Sequence, residues 1–420
     1  MNGMLEDAWS KGWLSRPELA PEGLVAAARR KTGLAAMGEE SGWRDRLGSL
    51  VDALHAEAAL TPVGQVVAYG QLVSALANRA RAHALWQRHP EILDLPVPAP
   101  VIVLGQMRSG STRMQRMLAC DPRLAHTRFF ESWNPLPGMR VGRLDDRLLR
   151  GWMGLRCAHW LNPEFSVIHP TGTRQPDEEI GLHNVSIFGS AFEAQWRVPS
   201  FAAAGEAMDT RPVYAEFKQL LQTIAWLRGE RGERPWILKV PQLTQDLAAV
   251  LEIFPDARLV CLDRPAAALV ASSASLVHSQ MRVQSDSVDR HWIGREWLRK
   301  IALRQRRLAA ARAHADVAQV DVAFDAMNAD WRGEMHRVYH ALGMVLTPDV
   351  ERRMARYAAR RGHRKLARHR YALADFGLDE AQVDAAMRAG GTERLRLVAS
   401  DAGTPQGRSP EPAHARTGMA

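Results

Sequence analysis

The stretch 101–120, V-I-V-L-G-Q-M-R-S-G-S-T-R-M-Q-R-M-L-A-C, constrains the fold more than any other part of the chain. It opens with four apolar residues, Val101 to Leu104, which prolines precede and Gly105 follows. A short apolar run with breakers at both ends is typical of a buried parallel strand. From Ser111 onward, apolar side chains recur at helical spacing. The pattern therefore predicts a strand, a tight loop and a helix that begins at Ser111.

The predicted loop between this strand and this helix is suited to binding an anion. Backbone N–H groups in the first turn of a helix lack intrahelical partners, and the helix dipole adds partial positive charge there. Arg108 supplies a guanidinium group, and Ser109, Ser111 and Thr112 supply hydroxyl groups. The Gly-Lys-Ser/Thr ending of a Walker A loop is absent, so a magnesium–triphosphate site is not implied. We predict a phosphate or sulfate site, with a strand–turn–helix that binds no ligand as the alternative.

Composition limits the class of protein without choosing a function. The chain has 420 residues, 46% of them hydrophobic and 24% charged, which fits a globular protein with one large α/β domain and a smaller region. The formal net charge of +9 is compatible with anionic ligands, nucleic acid or acidic membranes. The three cysteines form neither a disulfide framework nor a zinc pattern, so no metal is expected. With no signal-peptide pattern and no stretch long enough for a membrane span, we expect a cytoplasmic location.

The chain divides into three regions by pattern. Residues 1–95 are alanine-rich with helical spacing, which predicts an N-terminal α-helical region of three to five helices. Residues 100–397 alternate short apolar runs with helical patterns, which predicts an α/β domain. Residues 398–420 are rich in Gly, Pro, Ser and Ala, which predicts a disordered tail.

Two further apolar runs lead to basic residues. Lys239 follows 236–238 directly, and Arg264 comes two residues after 258–262. Because ligands of open α/β sheets bind beyond the carboxyl ends of the strands, both basic residues should lie near the anion loop. Ser272 follows Arg264 by eight residues, about two helical turns, so the pair could hold a second phosphate. The alternatives are a lysine that extends into solvent and a serine that only fills its helix.

Several titratable residues are candidates for proton transfer or ligand contact. Glu131 follows two phenylalanines at an expected strand end. At that position it is either a general base or a carboxylate in a surface salt bridge. The acids at 177–179 fall in an expected first helical turn. Either they are there because the helix dipole favours acids, or they line an acceptor pocket. His183 is either structural or an acid or base. The eight basic or His side chains at 360–370 form either a solvated face or a lid over a polyanion.

Together these motifs resemble the sulfotransferases that use 3′-phosphoadenosine 5′-phosphosulfate (PAPS), over roughly residues 100–385. The likeness is to bacterial sulfotransferase-family proteins, near the tyrosylprotein and Golgi-type branch, and implies an α/β fold with a P-loop-like parallel sheet flanked by helices. The loop G-Q-M-R-S-G-S-T resembles the family's 5′-phosphosulfate loop. That match implies binding of the phosphosulfate by Arg108, Ser109, Gly110, Ser111 and Thr112. The segment L-D-R-P-A-A-A-L-V-A-S resembles the 3′-phosphate motif, which implies the same role for Arg264 and Ser272.

The resemblance also implies a mechanism. Glu131, in F-F-E-S-W, is similar to the catalytic glutamate of the tyrosylprotein-type branch, and Lys239, in I-L-K-V-P, to its L-K-x-P lysine. The implied reaction moves a sulfuryl group from PAPS to a hydroxyl or amine without a metal. Arg108 and Lys239 would stabilise the leaving group, and Glu131 would be the base. Two departures stand out: the second motif is shortened to Asp-Arg-Pro-Ala, and Gln242 stands where the family often has a histidine.

The acceptor and the oligomeric state are not indicated. Residues 129–210 should shape the acceptor pocket, and their tryptophans suit a small-molecule, glycan or lipid acceptor equally. An alternative of another class is a non-catalytic nucleotide- or polyanion-binding protein that keeps the fold. A P-loop kinase is disfavoured by the missing Gly-Lys-Ser/Thr. No nucleic-acid partner is expected, because the basic run lacks interleaved aromatic residues.

Overall fold

The strands and helices come from a computed structural model, which describes residues 1–38, 42–138, 140–141, 144–165, 170–362 and 371–389. The tail at 398–420 and the basic residues 363–370 lie outside these ranges, so the expectations for them are untested. No helix among the described residues combines the length and apolar character needed to cross a membrane.

The strands are β1 (Val101–Leu104), β2 (Ala125–His126), β3 (Arg140–Val141), β4 (Leu144–Asp145), β5 (Trp236–Leu238), β6 (Arg258–Asp263) and β7 (Gln319–Ala323). Within the described residues, five of them form a parallel sheet in the order β2-β5-β1-β6-β7. The short strands β3 and β4 pair with each other in antiparallel fashion. In the large sheet β1 is central, and because the pairing is parallel, all carboxyl ends meet at one edge.

The helices before the sheet are α1 (Asn2–Ser10), α2 (Pro21–Thr32), α3 (Trp43–Ala56) and α4 (Pro62–Arg88). Those that follow β1 and precede β5 are α5 (Ser111–Leu118), α6 (Phe129–Trp133), α7 (Arg147–Leu161), α8 (Ile180–Val185), α9 (Ser190–Gln195), α10 (Pro199–Ala207) and α11 (Arg211–Leu227). After β5 come α12 (Pro241–Gln245), α13 (Leu247–Ile253), α14 (Ala266–Gln284), α15 (Arg290–Ala313), α16 (Phe324–Ala329), α17 (Trp331–Ala341), α18 (Pro348–Gly362) and α19 (380–389). Short 3₁₀ helices cover Pro90–Asp94 and Leu373–Phe376.

Both faces of the central strand are covered by helices, which explains its uninterrupted apolar sequence. Ile102 and Leu104 belong to one buried cluster, together with apolar residues of α11. Val101 and Val103 belong to another, together with methionines of α5 and α17. A strand buried on both faces needs apolar side chains at every position rather than at alternate ones. The predicted parallel strand and α/β class are thereby confirmed.

The N-terminal helices pack into the same body as the sheet. Their buried cluster continues into the segment 187–201, which belongs to the α/β part. The guanidinium of Arg79, on α4, forms a buried ion pair with Glu216, on α11, at 2.5 Å. The guanidinium of Arg46, on α3, donates two hydrogen bonds to the carbonyl of Ser186, at 2.8 and 2.6 Å. Buried charges therefore join the two regions as well as apolar contacts.

Two local expectations from sequence are wrong. Glu131 does not end a strand, because β2 ends at His126 and Glu131 lies inside the five-residue helix α6. The acids at 177–179 are not in a first helical turn either, because α8 begins only at Ile180. Pro176 forms a β-bridge with Arg128, and the side chains of Asp177 and Glu179 accept hydrogen bonds that hold the acids ahead of the helix.

Candidate active site

The loop that joins β1 to α5 has a backbone only glycine adopts easily. Gly110 has φ +93°, and a Cβ there would lie 3.0 Å from the Phe324 ring. Arg108 is also in the left-handed region, with φ +69°. The hydroxyl of Ser109 is buried and has no hydrogen-bond partner among the described residues. A buried, unpartnered hydroxyl beside a helix N-terminus is a ready donor to an anion.

The two cationic motifs predicted from sequence contact each other directly. Arg264 Nη1 donates to the backbone carbonyl of Arg108 at 2.6 Å, across a separation of 156 residues. Arg108 Nε donates to Ser272 Oγ at 3.0 Å. The guanidinium of Arg264 also lies 4.3 Å from the centre of the Phe324 ring. Arg108, Arg264 and Ser272 therefore form one cluster at the carboxyl edge of the sheet.

Lys239 connects this cluster to the first turn of α5. It follows β5 directly and is buried, and its Nζ donates to Thr112 Oγ1 at 3.2 Å. The same Nζ forms an ion pair with Glu178. The position of the lysine at the strand end is as predicted, but its carboxylate partner lies 61 residues away in sequence and no local pattern indicated the pair.

Helix α5 also positions the segment that carries Glu178. Gln115 Nε2 donates to the carbonyl of Asp177 at 2.9 Å, and Arg116 donates to the carbonyls of Pro170 and Pro176 at 3.0 and 3.3 Å. The first turn of α5, together with the loop Gly105 to Gly110, forms the predicted anion site, which we call the anion cradle. The second turn of α5 holds the segment that carries the acids at 177–179. This arrangement brings the Glu178 carboxylate to the mouth of the cradle, where sequence reasoning had given it only a dipole or pocket-lining role.

Glu179 differs from its neighbour because it is fully buried. Burial raises the pKa of Glu179 to about 8, although Oε2 accepts the backbone N–H of Lys239 at 2.7 Å, which opposes the increase. The carboxyl group is therefore mainly neutral at pH 7. Since Glu179 does not cancel a charge, Arg108, Lys239 and Arg264 together carry more positive charge than Glu178 balances.

Glu131 forms an ion pair with Arg228. Its carboxylate forms a buried ion pair with Arg228, whose Nε lies at 2.9 Å, and accepts the backbone N–H of Arg128 at 2.9 Å. The second contact caps the N-terminus of α6. Of the alternatives that the sequence left open, this geometry is closer to the salt bridge, although the pair is buried rather than on the surface.

His183 lies among aromatic rings rather than in the charged cluster. The rings of Phe217, Tyr214 and Phe188 are 5.0, 5.6 and 6.0 Å from the imidazole, centre to centre. Burial lowers the pKa of His183 to about 3, so the ring is neutral at physiological pH. Its nitrogens have no hydrogen-bond partner in the described part of the chain. The structural alternative for His183 fits this environment.

Comparison with known proteins identifies the family. A profile described as the sulfotransferase family matches residues 100–349, which is more than half of the chain. The chain belongs to the sulfotransferase family. This sulfotransferase is similar to the solved structure of STF1 from Mycobacterium tuberculosis H37Rv, at 27% identity and a TM-score of 0.78, over 89% of this chain and 100% of that one. STF9 from Mycobacterium avium is similar at 25% identity and a TM-score of 0.77, over 90% of this chain and 96% of that one. No curated protein matches by sequence.

The family match confirms the resemblance and the predicted enzyme class: the protein is a sulfotransferase and catalyses sulfuryl transfer. It favours the enzyme over both the non-catalytic protein and the kinase. Sulfotransferases of this kind generally use PAPS as donor and act on small-molecule or glycan acceptors. The described residues contain no group of three or more His, Cys, Asp or Glu side chains arranged to hold a metal ion.

Proposed function

We propose that this sulfotransferase takes its sulfuryl group from PAPS and delivers it to a hydroxyl or amine. The loop residues Arg108 to Thr112 bind the 5′-phosphosulfate, and Arg264 and Ser272 bind the 3′-phosphate. The observation that carries the proposal is the direct contact between the two cationic motifs, through the 2.6 Å and 3.0 Å hydrogen bonds of Arg108. A nucleoside with two anionic ends needs two cationic sites within the length of one ligand.

The residues present fit such a donor. A Cβ at Gly105 would lie 2.5 Å from Ser109 Oγ and one at Gly110 would lie 3.0 Å from Phe324, so glycine at both positions lets the loop fold tightly around Ser109 and against Phe324. Ser109 offers a buried hydroxyl without a partner. The first turn of α5 adds backbone N–H donors and the positive end of its dipole.

Charge stabilisation during transfer falls to Arg108, Lys239 and the start of α5. PAPS supplies the sulfuryl group together with a bisphosphate leaving group, on which negative charge builds as the sulfur–oxygen bond breaks. Lys239 Nζ already lies against Thr112, and it donates to the leaving oxygen after it releases Glu178. Arg108 and the first turn of α5 are held in place before the reaction begins, so the main rearrangement is the exchange of Glu178 for the donor at Lys239.

The general base in this proposal is Glu178. It is the carboxylate in contact with Lys239, and its side chain is 14% exposed, so an acceptor can reach it. When Lys239 turns to the donor, Glu178 loses its ion-pair partner and becomes free to accept the acceptor's proton. Glu131 is the second candidate, from its family resemblance, but proton abstraction by Glu131 would neutralise the carboxylate of its buried ion pair with Arg228.

The two glutamates are tested by matched amide variants. Glu178→Gln should lower kcat for transfer of labelled sulfate from PAPS to an acceptor panel by about 10²–10⁴-fold, because a positioned base contributes that much. Its affinity for adenosine 3′,5′-bisphosphate should stay close to wild type. Glu131→Gln should lower the melting temperature and keep most of kcat in the folded fraction. If instead Glu131→Gln abolishes turnover with stability intact, Glu131 is the base.

Binding of the bisphosphate tests the donor independently of any acceptor. The wild-type enzyme should bind adenosine 3′,5′-bisphosphate more tightly than adenosine 5′-phosphate, because only the former occupies the Arg264 site. Equal affinity for the two nucleotides would contradict the proposed donor.

A further inference from the structure

Helix α7 presents large apolar side chains to solvent. Four of them are more than half exposed: Leu149 at 58%, Trp152 at 53%, Met153 at 56% and Trp160 at 68%. Relative to Leu149 they occur at i+3, i+4 and i+11, so all four lie on one side of the helix. The opposite side is buried through Gly151 and Leu155. The helix is therefore apolar on both its inner and its outer side, whereas a surface helix normally has a polar outer side.

A cation sits within this exposed stripe. Arg156, at i+7 from Leu149, is exposed and forms no ion pair with the described residues. Two other arginines of the helix, Arg147 and Arg150, pair with Asp145 and Asp146. The sequence of α7, R-L-L-R-G-W-M-G-L-R-C-A-H-W-L, contains no acidic residue. We call Leu149, Trp152, Met153, Arg156 and Trp160 the α7 outer face.

The chemistry of this face favours an anionic lipid surface over a second copy of the chain. Tryptophan is enriched at membrane–water interfaces, and a basic amphipathic helix is typical of a segment that lies in that interface. A symmetric dimer through α7 would bring Arg156 close to its own copy, with no carboxylate on the face to balance the two charges. A bilayer with anionic headgroups supplies both an apolar layer and the opposite charge.

The helix also bridges the two walls of the candidate active site. On one side Gly151 fits closely against Phe130, where a Cβ would lie 2.6 Å from the Phe130 Cβ and 3.5 Å from Thr173. Thr173 lies in the turn that leads to Glu178. On the other side Asn162 donates to the carbonyl and hydroxyl of Ser279, both at 3.1 Å, on the helix that carries Ser272. Helix α7 and its C-terminal cap Asn162 thus pack against the segment that leads to Glu178 and against the helix that carries Ser272.

We propose that the α7 outer face inserts into the headgroup region of an anionic bilayer, and that the acceptor is an amphiphile held in that bilayer. The apolar side chains enter the acyl boundary, and Arg156 contacts phosphate groups. The acceptor hydroxyl is then delivered at the rim of the site rather than from bulk water. The acceptor half of this inference rests on the proposed function, whereas the membrane half does not.

Sedimentation of the full chain with vesicles tests the membrane half. The protein should bind phosphatidylcholine vesicles that contain phosphatidylglycerol, bind plain phosphatidylcholine vesicles more weakly, and dissociate as salt increases. The double variant Trp152→Ser/Trp160→Ser should weaken binding by about tenfold or more. Arg156→Glu should weaken binding to the anionic vesicles by a similar factor. Wild-type protein that stays in the supernatant overturns the proposal.

Matched controls come from the N-terminal region, 1–95. Trp13→Ser removes a tryptophan that is 71% exposed, and Arg30→Glu reverses an exposed charge on α2. Both controls should keep wild-type vesicle binding. A loss equal to that of the α7 variants would show that any exposed tryptophan or arginine suffices, and the assignment to α7 would fail. A dimer that dissociates in Trp152→Ser/Trp160→Ser, without vesicle binding, would make the face a contact between copies instead.

Cys157 gives a second measurement at the helix itself. It is exposed next to the α7 outer face, whereas Cys120 is partly buried and Cys261 is buried, so it is the thiol expected to label first. An environment-sensitive dye on Cys157 should shift to shorter wavelength when anionic vesicles are added. If the protein binds vesicles while the dye keeps its aqueous spectrum, another surface carries the binding and the proposal fails.

The acceptor half is tested with vesicles made from total cellular lipids. Labelled sulfate should appear in the lipid fraction, and Trp152→Ser/Trp160→Ser should reduce that transfer while its adenosine 3′,5′-bisphosphate affinity stays unchanged. Label confined to water-soluble products overturns this half. Failure of the wild type to bind the bisphosphate would contradict the proposed function alone, since vesicle binding does not require it.

Discussion

At the scale of single residues, two adjacent acids differ in burial and in the part of Lys239 that they contact. Glu178 pairs with the amine of Lys239, and Glu179 accepts the backbone N–H of the same residue at 2.7 Å. The fully buried Glu179 is mainly neutral at pH 7, whereas Glu178 forms an ion pair with the lysine. Lys239 thereby connects the proposed base, Glu178, to the anion cradle, and the cations of the cradle still outnumber its carboxylates.

The neutral form of Glu179 should appear in the pH dependence of stability. Its pKa is raised from 4.5 to about 8 in the folded protein. The stability that follows from this shift is therefore fully present below pH 4.5 and is lost as the pH rises to 8. Glu179→Gln keeps a neutral group at this position at every pH. Between pH 4.5 and 8 its free energy of unfolding should therefore rise by a few kcal/mol relative to that of the wild type. Urea unfolding at several pH values measures the difference, and the exposed Glu233→Gln should change nothing. A difference between Glu179→Gln and wild type that does not vary with pH would contradict the neutral assignment.

Removal of the Arg264 guanidinium should weaken nucleotide binding. Arg264→Ala removes a charged donor, so the affinity for adenosine 3′,5′-bisphosphate should fall by about 1–3 kcal/mol in calorimetric titration. Affinity for adenosine 5′-phosphate should fall much less, because that ligand lacks the 3′-phosphate. Arg30→Ala, at an exposed position on α2, is the control. An unchanged bisphosphate affinity in Arg264→Ala would exclude this motif from the donor site.

At the scale of elements, the anion loop depends on a conformation that a side chain disturbs. Gly110→Ala should lower the free energy of unfolding by about 1–2 kcal/mol, because φ +93° is unfavourable for alanine and its Cβ presses on Phe324. Bisphosphate affinity should fall as well. Gly48→Ala is the matched control on helix α3, where no heavy atom lies within 4 Å of the new Cβ. That control should gain about 0.5–1 kcal/mol, since alanine favours helix. Equal effects of the two variants would contradict a strained loop.

The elements with strong local patterns were the ones that sequence predicted well. The apolar runs at β1, β5 and β6 are strands, and the loop before Ser111 leads into a helix as expected. Helix α6 was missed because five residues are too few for a helical period to appear, and F-F-E reads equally well as a strand. The non-helical conformation of the acids at 177–179 was missed because it depends on hydrogen bonds from Gln115 and Arg116, more than 50 residues earlier.

The cluster of cations was predictable for a simple reason, whereas the carboxylate partners were not. Parallel strands bring their carboxyl ends to one edge, so basic residues that follow successive strands must converge. Side-chain packing decides which acid pairs with which base. The ion pairs of Glu131 with Arg228 and of Glu178 with Lys239 are therefore not indicated by any local sequence pattern. The roles implied for Arg108, Ser272 and the other site residues stay predictions.

At the scale of the whole molecule, the N-terminal helices should unfold together with the sheet. Arg79 is fully buried and its ion pair with Glu216 crosses the boundary between the two regions. Arg79→Ala leaves Glu216 buried without its strongest partner, so stability should fall by about 3–5 kcal/mol in one cooperative transition. Calorimetry measures both the loss and the number of transitions.

The matched control removes both charges at once. Arg79→Met/Glu216→Met leaves no carboxylate uncompensated and should recover part of the lost stability. Two separate transitions in Arg79→Ala, with only the first shifted, would mean that residues 1–95 fold as an independent unit.

The hydrogen bond from Arg264 to the Arg108 carbonyl has a further effect on how ligand fragments bind. The Arg264 side chain supports the left-handed turn at Arg108 and would also bind the 3′-phosphate of the nucleotide. A ligand that moves the Arg264 side chain would therefore change the conformation of the loop proposed to bind the 5′-phosphosulfate. The affinities of sulfate alone and of adenosine 3′-phosphate alone should therefore not add up independently when both are present, and titrating one in the presence of the other should reveal mutual interference or assistance.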